Sequence, residues 1–168
     1  MGNLIIGIVS GVIASIVIYI FVFMIRPNIN ISDKIAQSSD NGECIYRIKI
    51  VNKSLCALFN VDYHLHFCSS KSDGLVNIEE ITPLKSKITY ISGFKSKKRD
   101  ENEKYAVRIT FKIDESKYKL DDHSFFMFTL IATHGFTNTS KYIEKTYYVN
   151  DISKGHFETG KSMRILNI

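Results

Sequence analysis

The pattern of hydrophobic and polar residues divides the chain into two parts. Leu4–Ile25 contains 22 residues without a charge, a proline, an Asn or a Gln. At about 1.5 Å per residue, a helix of this length measures roughly 33 Å, enough to cross a hydrocarbon core of about 30 Å. Arg26 and Pro27 end the apolar run. The pattern therefore predicts one transmembrane anchor within residues 1–27, followed by a single domain over residues 28–168.

After the anchor, apolar and polar residues alternate with the period of two that is typical of half-buried β-strands. In chain order, the predicted strands are Ile45–Val51, Ala57–Phe67, Leu75–Ile81, Ile88–Ile91, Tyr105–Ile113, Phe125–Ala132, Lys141–Val149 and Met163–Leu166. Phe125–Ala132 is apolar on both faces, which predicts a central strand covered on two sides. Residues 26–42 are polar and are interpreted as a connector. Short strands with turns between them predict an all-β fold and a β-sandwich.

The main alternative for the first segment is a cleaved signal peptide. Such a peptide would have a basic start, a shorter apolar core and a cleavage site flanked by small residues. Met1–Asn3 carries no charged side chain, and Phe23–Pro27 offers no cleavage site of that kind. The sequence therefore favours an uncleaved anchor.

Flanking charges predict the orientation of the anchor. No Lys or Arg precedes the apolar run, whereas Arg26 and Lys34 follow it. The positive-inside rule then predicts a cytoplasmic C-terminal domain and an N-terminus outside the cell membrane. Cys44, Cys56 and Cys68 show no CxxC or framework spacing, which agrees with a reducing compartment. We therefore expect a single-pass protein of the cell membrane.

Small residues recur along one face of the apolar run. Gly7, Gly11 and Ser15 are spaced four residues apart, with Ser10 and Ala14 beside them. Small residues at this spacing let two helix backbones approach closely, and hydroxyl groups can bond across the interface. We therefore expect the helices to associate into a homo-oligomer. The alternative is a monomeric span in which glycine is simply common.

Charge adds a second candidate contact surface. Every charged residue follows residue 25, so the domain carries the whole formal net charge of +5 at pH 7. A basic domain tethered at a membrane is compatible with anionic headgroups nearby. The candidates for contact with an anionic lipid or ligand are Arg26, Lys95, Lys97, Lys98 and Arg99. Acidic residues follow this basic run directly, so a solvated loop is the simpler interpretation of it.

Other motifs that could form a catalytic or metal site are scarce. His64, His66 and Cys68 share one predicted strand face with Asp62, and these residue types can ligate zinc. No second strand offers partner ligands, so these residues are weak metal candidates and a polar outer face is the simpler interpretation. The sequence contains no Gly-rich phosphate loop, nucleophile elbow or HExxH pattern. We therefore expect no enzyme activity, no cofactor and no nucleic-acid partner.

Several short segments of the chain follow one another in the order of a known family. In chain order they are Arg26-Pro27, Ile31–Ala36, Gly42–Asn52, Ile109–Leu120, Phe126–Gly135, Tyr148, Asp151-Ile152 and Gly155-His156-Phe157. Together they resemble the inner helix and cytoplasmic domain of inward-rectifier potassium channels. The resemblance implies an immunoglobulin-like β-sandwich, a cytoplasmic location and a tetramer around a four-fold axis. The outer helix, pore helix and Thr-x-Gly-Tyr-Gly filter of that family are absent from the sequence, so selectivity for potassium is not expected.

These observations lead to two classes of function. The first is a non-enzymatic membrane protein with a sensor or gating domain, whose associated helices form or regulate a pore in the manner of a membrane immune effector. The second is a membrane-tethered adaptor that binds a protein partner through a sheet face or edge. Association and membrane leakage that depend on Gly7 and Gly11 would distinguish the first class from the second.

Overall fold

The fold consists of one helix followed by a domain of β-strands. The computed structural model describes residues 2–40, 43–70, 75–85, 87–94, 104–118, 121 and 123–167. In chain order, the elements are α1 (Gly2–Met24), β1 (Ile29–Ile31), β2 (Ile35–Asp40), β3 (Glu43–Asn52), β4 (Leu58–Ser70), β5 (Val76–Ile81), β6 (Lys87–Ile91), β7 (Ala106–Lys112), β8 (Ser124–His134), β9 (Ser140–Tyr147), β10 (Ile152–Lys154), β11 (His156–Phe157) and β12 (Ile165–Leu166). This arrangement confirms the prediction of a mostly β-stranded chain behind one apolar helix.

Residues 2–21 of helix α1 are exposed. Its segment Gly2–Val22 is long and apolar enough to cross a membrane, and none of that segment is buried against the domain. Leaving a large aliphatic side chain in water forgoes about 1.5–3 kcal/mol of burial free energy. A helix that exposes Ile8, Val12 and Ile16 together is therefore stable only where lipid or another protein covers it.

The described residues of the domain form two five-stranded sheets. Sheet 1 contains β1, β2, β3, β7 and β10, and sheet 2 contains β4, β5, β6, β8 and β9. Within the described pairings the strands of both sheets are antiparallel, except that β10 runs parallel to β2. Strands β11 and β12 form a separate two-stranded ribbon.

Apolar side chains from both sheets fill one core. The ring of Phe111 on sheet 1 lies 6.4 Å from the rings of Tyr63 and Phe128 on sheet 2, and Tyr46 lies 6.2 Å from Phe126. Buried positions alternate with more exposed ones along most of β8, as a strand with one face in a core requires. The period-two pattern of the sequence therefore identifies the core-facing residues of this strand.

Two strands lie in the segment that the sequence predicts as a polar connector. Ile29 and Ile31 of β1 and Ile35 of β2 are buried, and both strands pair with β3. The prediction of a connector is therefore wrong. The sequence does not reveal these strands because β1 has only three residues and because β2 consists of Gln, Ser and Asp beyond its first two positions. β1 is too short to show an alternation, and the polar run in β2 hides one.

The doubly covered strand is β3, whereas the sequence predicts β8. The outward face of β8 is partly exposed, as Ile131 shows. Lys49 of β3 is only 2% exposed, although its position predicts a solvent-facing side chain. Its ammonium group donates hydrogen bonds to the carbonyl oxygens of Glu158 and Ser162. The C-terminal segment therefore covers the second face of β3.

Candidate functional site

Helix α1 joins the domain at one end of the two sheets. We call it the helix-proximal end and define it as residues 25–28, 53–57 and 135–139. The backbone N–H of Asn28 donates to Ser54 Oγ at 2.7 Å, and the N–H of Lys53 donates to the Asn28 carbonyl at 2.7 Å. The N–H of Gly135 donates to the Ala57 carbonyl at 2.9 Å, and a Cβ at Gly135 would lie 3.0 Å from that oxygen. These bonds connect the chain leaving α1 with the loop 53–57, and that loop with the turn 135–139.

The turn between β8 and β9 also contacts the end of the helix directly. Thr137 Oγ1 donates a hydrogen bond to the carbonyl oxygen of Ile25 at 3.3 Å. The same hydroxyl lies 2.7 Å from Thr139 Oγ1 and 3.1 Å from His134 Nδ1. Asn138 adopts the left-handed conformation with φ of 53°, which Asn tolerates better than most residues. Hydrogen bonds within the turn thus hold the Thr137 hydroxyl, which contacts the end of the helix.

Two large apolar side chains protrude from the loops of the helix-proximal end. Leu55 is 68% exposed and Phe136 is 69% exposed. The loop of Leu55 is held from inside by the buried Asn52, whose Nδ2 donates to the carbonyls of Cys56 at 2.9 Å and Ser92 at 3.0 Å. Neither residue is among the candidates predicted from the sequence. The sequence feature that could have indicated them is a bulky apolar residue outside the predicted strands: Leu55 lies between two predicted strands, and Phe136 lies in the turn after one.

The predicted association residues lie along the exposed helix. Gly7, Gly11 and Ser15 line one shallow groove on its surface. In the single chain, Ser10 Oγ donates to the Gly7 carbonyl at 3.0 Å and Ser15 Oγ donates to the Gly11 carbonyl at 2.9 Å. A Cβ at either glycine would meet no described atom within 4 Å, and Ala14 is exposed. Nothing in the described part of the chain's own fold therefore requires small residues at these positions.

The predicted basic contacts are only partly described. Arg26 is exposed at the junction between α1 and the domain. The run Lys95, Lys97, Lys98 and Arg99 lies outside the described residues. The residue before it, Phe94, donates its N–H to the Ser54 carbonyl at 2.8 Å, and Lys104 after it accepts a hydrogen bond from the Ser92 N–H at 3.1 Å. The described residues that flank the run are thus bonded to, or close to, the helix-proximal end.

The weak metal candidates lie on the outer face of β4. His64 Nδ1 lies 2.8 Å from the Glu80 carboxylate, and this hydrogen bond lowers the pKa of Glu80. The ring of His66 stacks on that of His64, and its Nδ1 is buried without a hydrogen-bond partner. Burial raises the pKa of the Cys68 thiol. Among the residues that the structure describes, no three His, Cys, Asp or Glu side chains are grouped to hold a metal.

A polar cluster lies at the other end of sheet 1. Glu115 accepts hydrogen bonds from Tyr46 at 2.7 Å and Gln37 at 2.6 Å, and the bond from Tyr46 is the main cause of its lowered pKa. Three surface grooves meet at Glu115, and Lys154 lines two of them. A hydrogen bond to Glu115 raises the pKa of the Cys44 thiol, so that thiol is a poor nucleophile. The cluster offers polar contacts to a ligand and no activated nucleophile.

The stability of the domain is expected to fall at acidic pH because of His134. This side chain is buried, and burial lowers its pKa. The unfolded chain then binds the proton more tightly than the folded chain, so the free energy of unfolding decreases as the pH falls through about 6.5. The contribution of one such group is at most about 1.4 kcal/mol per pH unit. Urea unfolding of the full-length protein in detergent between pH 7.5 and pH 5 measures it.

The variant His134→Gln should show a flatter dependence of the unfolding free energy on pH. The matched control is His123→Gln, because His123 is exposed in the described structure. Identical slopes for wild type and His134→Gln would contradict the role of the buried imidazole.

Comparisons with known proteins assign the chain to no family. No protein-family model matches the sequence. No curated protein matches it either. The X-ray structure of SoR45, a target of the Northeast Structural Genomics Consortium, is similar with a TM-score of 0.34 and 12% identity. The likeness covers 74% of this chain and 86% of that chain, and at this TM-score it indicates neither a shared fold nor a shared function.

Proposed function

We propose that this chain is a non-enzymatic, single-pass membrane protein whose helices associate and whose cytoplasmic domain is a sensor or gating unit for a membrane pore. The observation that carries the proposal is the exposed helix of span length, Gly2–Val22. It is followed almost at once by a folded domain, because α1 ends at Met24 and β1 begins at Ile29. A cell that makes such a helix must accommodate it in lipid or in a protein complex.

The short connection supports a gating role. Thr137 bonds the carbonyl of Ile25, and Asn28 is bonded to Ser54, so two loops of the domain hold the chain where it leaves the helix. A flexible linker would absorb a movement of the domain. A connection this short, held by hydrogen bonds on both sides, transmits such a movement to the helix end.

The exposed small residues support association. Gly7 and Gly11 have free space around them in the single chain, so the fold of one chain does not explain why these residues are small. Close contact between two helices does explain it. Tyr19 continues the same line one turn beyond Ser15 and is exposed. Ser10 and Tyr19 lie at the two margins of this face, where their side chains can line a pore, while the Ile and Val residues elsewhere suit lipid.

The cytoplasmic location and the finer fold are part of the proposal. Arg26 and Lys34 on the domain side of the helix support an inward-facing domain. The described cysteines are all free thiols, as a reducing compartment allows. Two mostly antiparallel sheets around one core support an immunoglobulin-like sandwich.

The double variant Gly7→Leu/Gly11→Leu is expected to weaken association and to reduce leakage with it. Leucine fits at both positions in the single chain, so the monomer should fold and insert normally. Loss of a close helix contact worth about 1–2 kcal/mol weakens association roughly 5- to 30-fold. The measurements are the mass of the full-length protein in detergent and the release of carboxyfluorescein from vesicles that contain it.

The matched control for this experiment is Val9→Leu/Ile13→Leu. These residues lie on the opposite side of α1 from the glycines, and the replacements keep the helix apolar. The control should remain oligomeric and should release the dye. An unchanged oligomer in the glycine double variant would contradict the proposed interface.

A second candidate function is a membrane-tethered adaptor. It is favoured by exposed apolar residues on the outer face of sheet 2, where Ile131 of β8 pairs with Tyr142 of β9. Such a patch suits a protein partner. Replacing α1 by an unrelated monomeric span distinguishes the functions, because an adaptor keeps its activity on any anchor whereas a pore is lost.

A further inference from the structure

The end of α1 lies between the two loops that expose large apolar side chains. On one side, Lys53 and Ser54 bond to Asn28, and Leu55 is the next residue of that loop. On the other side, Thr137 bonds to Ile25, and Phe136 is its neighbour. The arrangement places an exposed leucine and an exposed phenylalanine on loops that flank the point where the helix leaves the domain.

Covalent geometry limits how far Phe136 can lie from the helix end. The Thr137 hydroxyl is 3.3 Å from the Ile25 carbonyl oxygen. With about 3.8 Å between consecutive Cα atoms, the Cα of Phe136 lies within about 12 Å of the Cα of Ile25. The interfacial layer of a bilayer is roughly 5–8 Å thick on each side of the hydrocarbon core. If Ile25 marks the edge of that core, the side chain of Phe136 lies within reach of the headgroup layer.

The charges of the domain are distributed in agreement with this placement. Residues 25–28, 53–57 and 135–139 contain the basic residues Arg26 and Lys53 and no Asp or Glu. Both side chains are exposed. The other end of sheet 1 exposes carboxylates and ammonium groups together: Glu43, Asp114 and Glu115 beside Lys112, Lys117 and Lys154. An anionic lipid surface would therefore attract the helix-proximal end more strongly than the opposite end.

We propose that Leu55 and Phe136 insert into the headgroup layer of the bilayer that α1 spans, with Arg26 and Lys53 against anionic headgroups. The inference rests on the proposed function, because it requires α1 to be a membrane span. Leucine and phenylalanine suit the boundary between headgroups and acyl chains. Together with α1, the two side chains give the domain three attachment points and hold it at a defined tilt to the membrane.

Tryptophan fluorescence tests this inference in the full-length protein. The chain contains no tryptophan, so Leu55→Trp and Phe136→Trp each introduce a single reporter. The control is Tyr148→Trp. Tyr148 is exposed and follows the last residue of β9, whereas the turn that carries Phe136 precedes the first residue of β9. Each variant is placed in vesicles of phosphatidylcholine and phosphatidylglycerol, with and without lipids brominated near the headgroup end of the acyl chains.

The two loop reporters should show blue-shifted emission and at least about twofold greater quenching by brominated lipid than the control, as expected for side chains at the headgroup boundary. Replacing phosphatidylglycerol by phosphatidylcholine should reduce this difference. Water-like emission at both loops, in protein that resists extraction with alkaline carbonate, would overturn this inference and leave the proposed anchor intact. Extraction of the protein by carbonate would overturn both.

Discussion

Deletion of residues 2–24 is expected to move the chain from the membrane pellet to the soluble fraction with the domain still folded. The Leu, Ile, Val and Phe residues of the span each favour insertion by about 0.3–0.6 kcal/mol at the helix centre, which sums to several kcal/mol. The segment Gly2–Val22 buries nothing against the domain, and the deletion leaves Ile25, whose carbonyl oxygen Thr137 contacts, in the chain. Fractionation after a carbonate wash and far-UV circular dichroism measure the two effects.

The control for the deletion replaces α1 by an unrelated apolar span and should stay in the membrane pellet. A truncated chain that still pellets with membranes after the carbonate wash would show that the domain is held there without α1. Loss of the β-sheet signal in the truncated chain would show that the helix contributes to the core. Either result would contradict the division of the chain into an anchor and an independent domain.

The substitution Phe111→Ala is expected to destabilise the domain by about 3–5 kcal/mol, the range for removing a buried aromatic ring. Phe111 is fully buried, and its ring contacts Tyr63 and Phe128 of the opposite sheet. A loss of this size is a large share of the total stability of about 5–15 kcal/mol that domains have. Urea unfolding of the full-length protein in detergent, followed by circular dichroism, measures the change.

The matched control is Phe136→Ala, which removes the same ring from an exposed turn. We expect a change within about 0.5 kcal/mol, since Phe136 has little of its surface covered by the domain. Equal losses for the two variants would contradict the assignment of the core between the sheets. If Phe136→Ala leaves the stability unchanged, a loss of membrane contact in this variant cannot be caused by unfolding.

The sequence predicts those parts of the fold that local patterns determine. The uninterrupted apolar run predicts α1 to within two residues at each end. The alternation at Ile45–Val51 and Tyr105–Ile113 predicts β3 and β7, because in each strand one face must lie in the core. Length and periodicity are properties of the chain itself, so no knowledge of the other segments is needed.

Other parts depend on contacts between distant segments. The burial of Lys49 requires the C-terminal segment that supplies the carbonyls of Glu158 and Ser162, and no pattern within β3 indicates it. In the same way, Leu55 and Phe136 are far apart in sequence and become neighbours of the helix end only through bonds to Asn28 and Ile25. The candidate site at the junction could therefore not be predicted before the fold was known.

Cysteine labelling at the two ends of one chain tests the central claim, that α1 spans the membrane and places the domain inside. Asn3→Cys and Asn167→Cys are introduced separately into a chain carrying Cys44→Ser, Cys56→Ser and Cys68→Ala, and both positions are exposed. With a membrane-impermeant maleimide on intact cells, position 3 should react at once and position 167 only after permeabilisation. Labelling of position 167 in intact cells would contradict the account. Removal of the N-terminal segment that carries position 3 from the membrane-bound protein would contradict it as well.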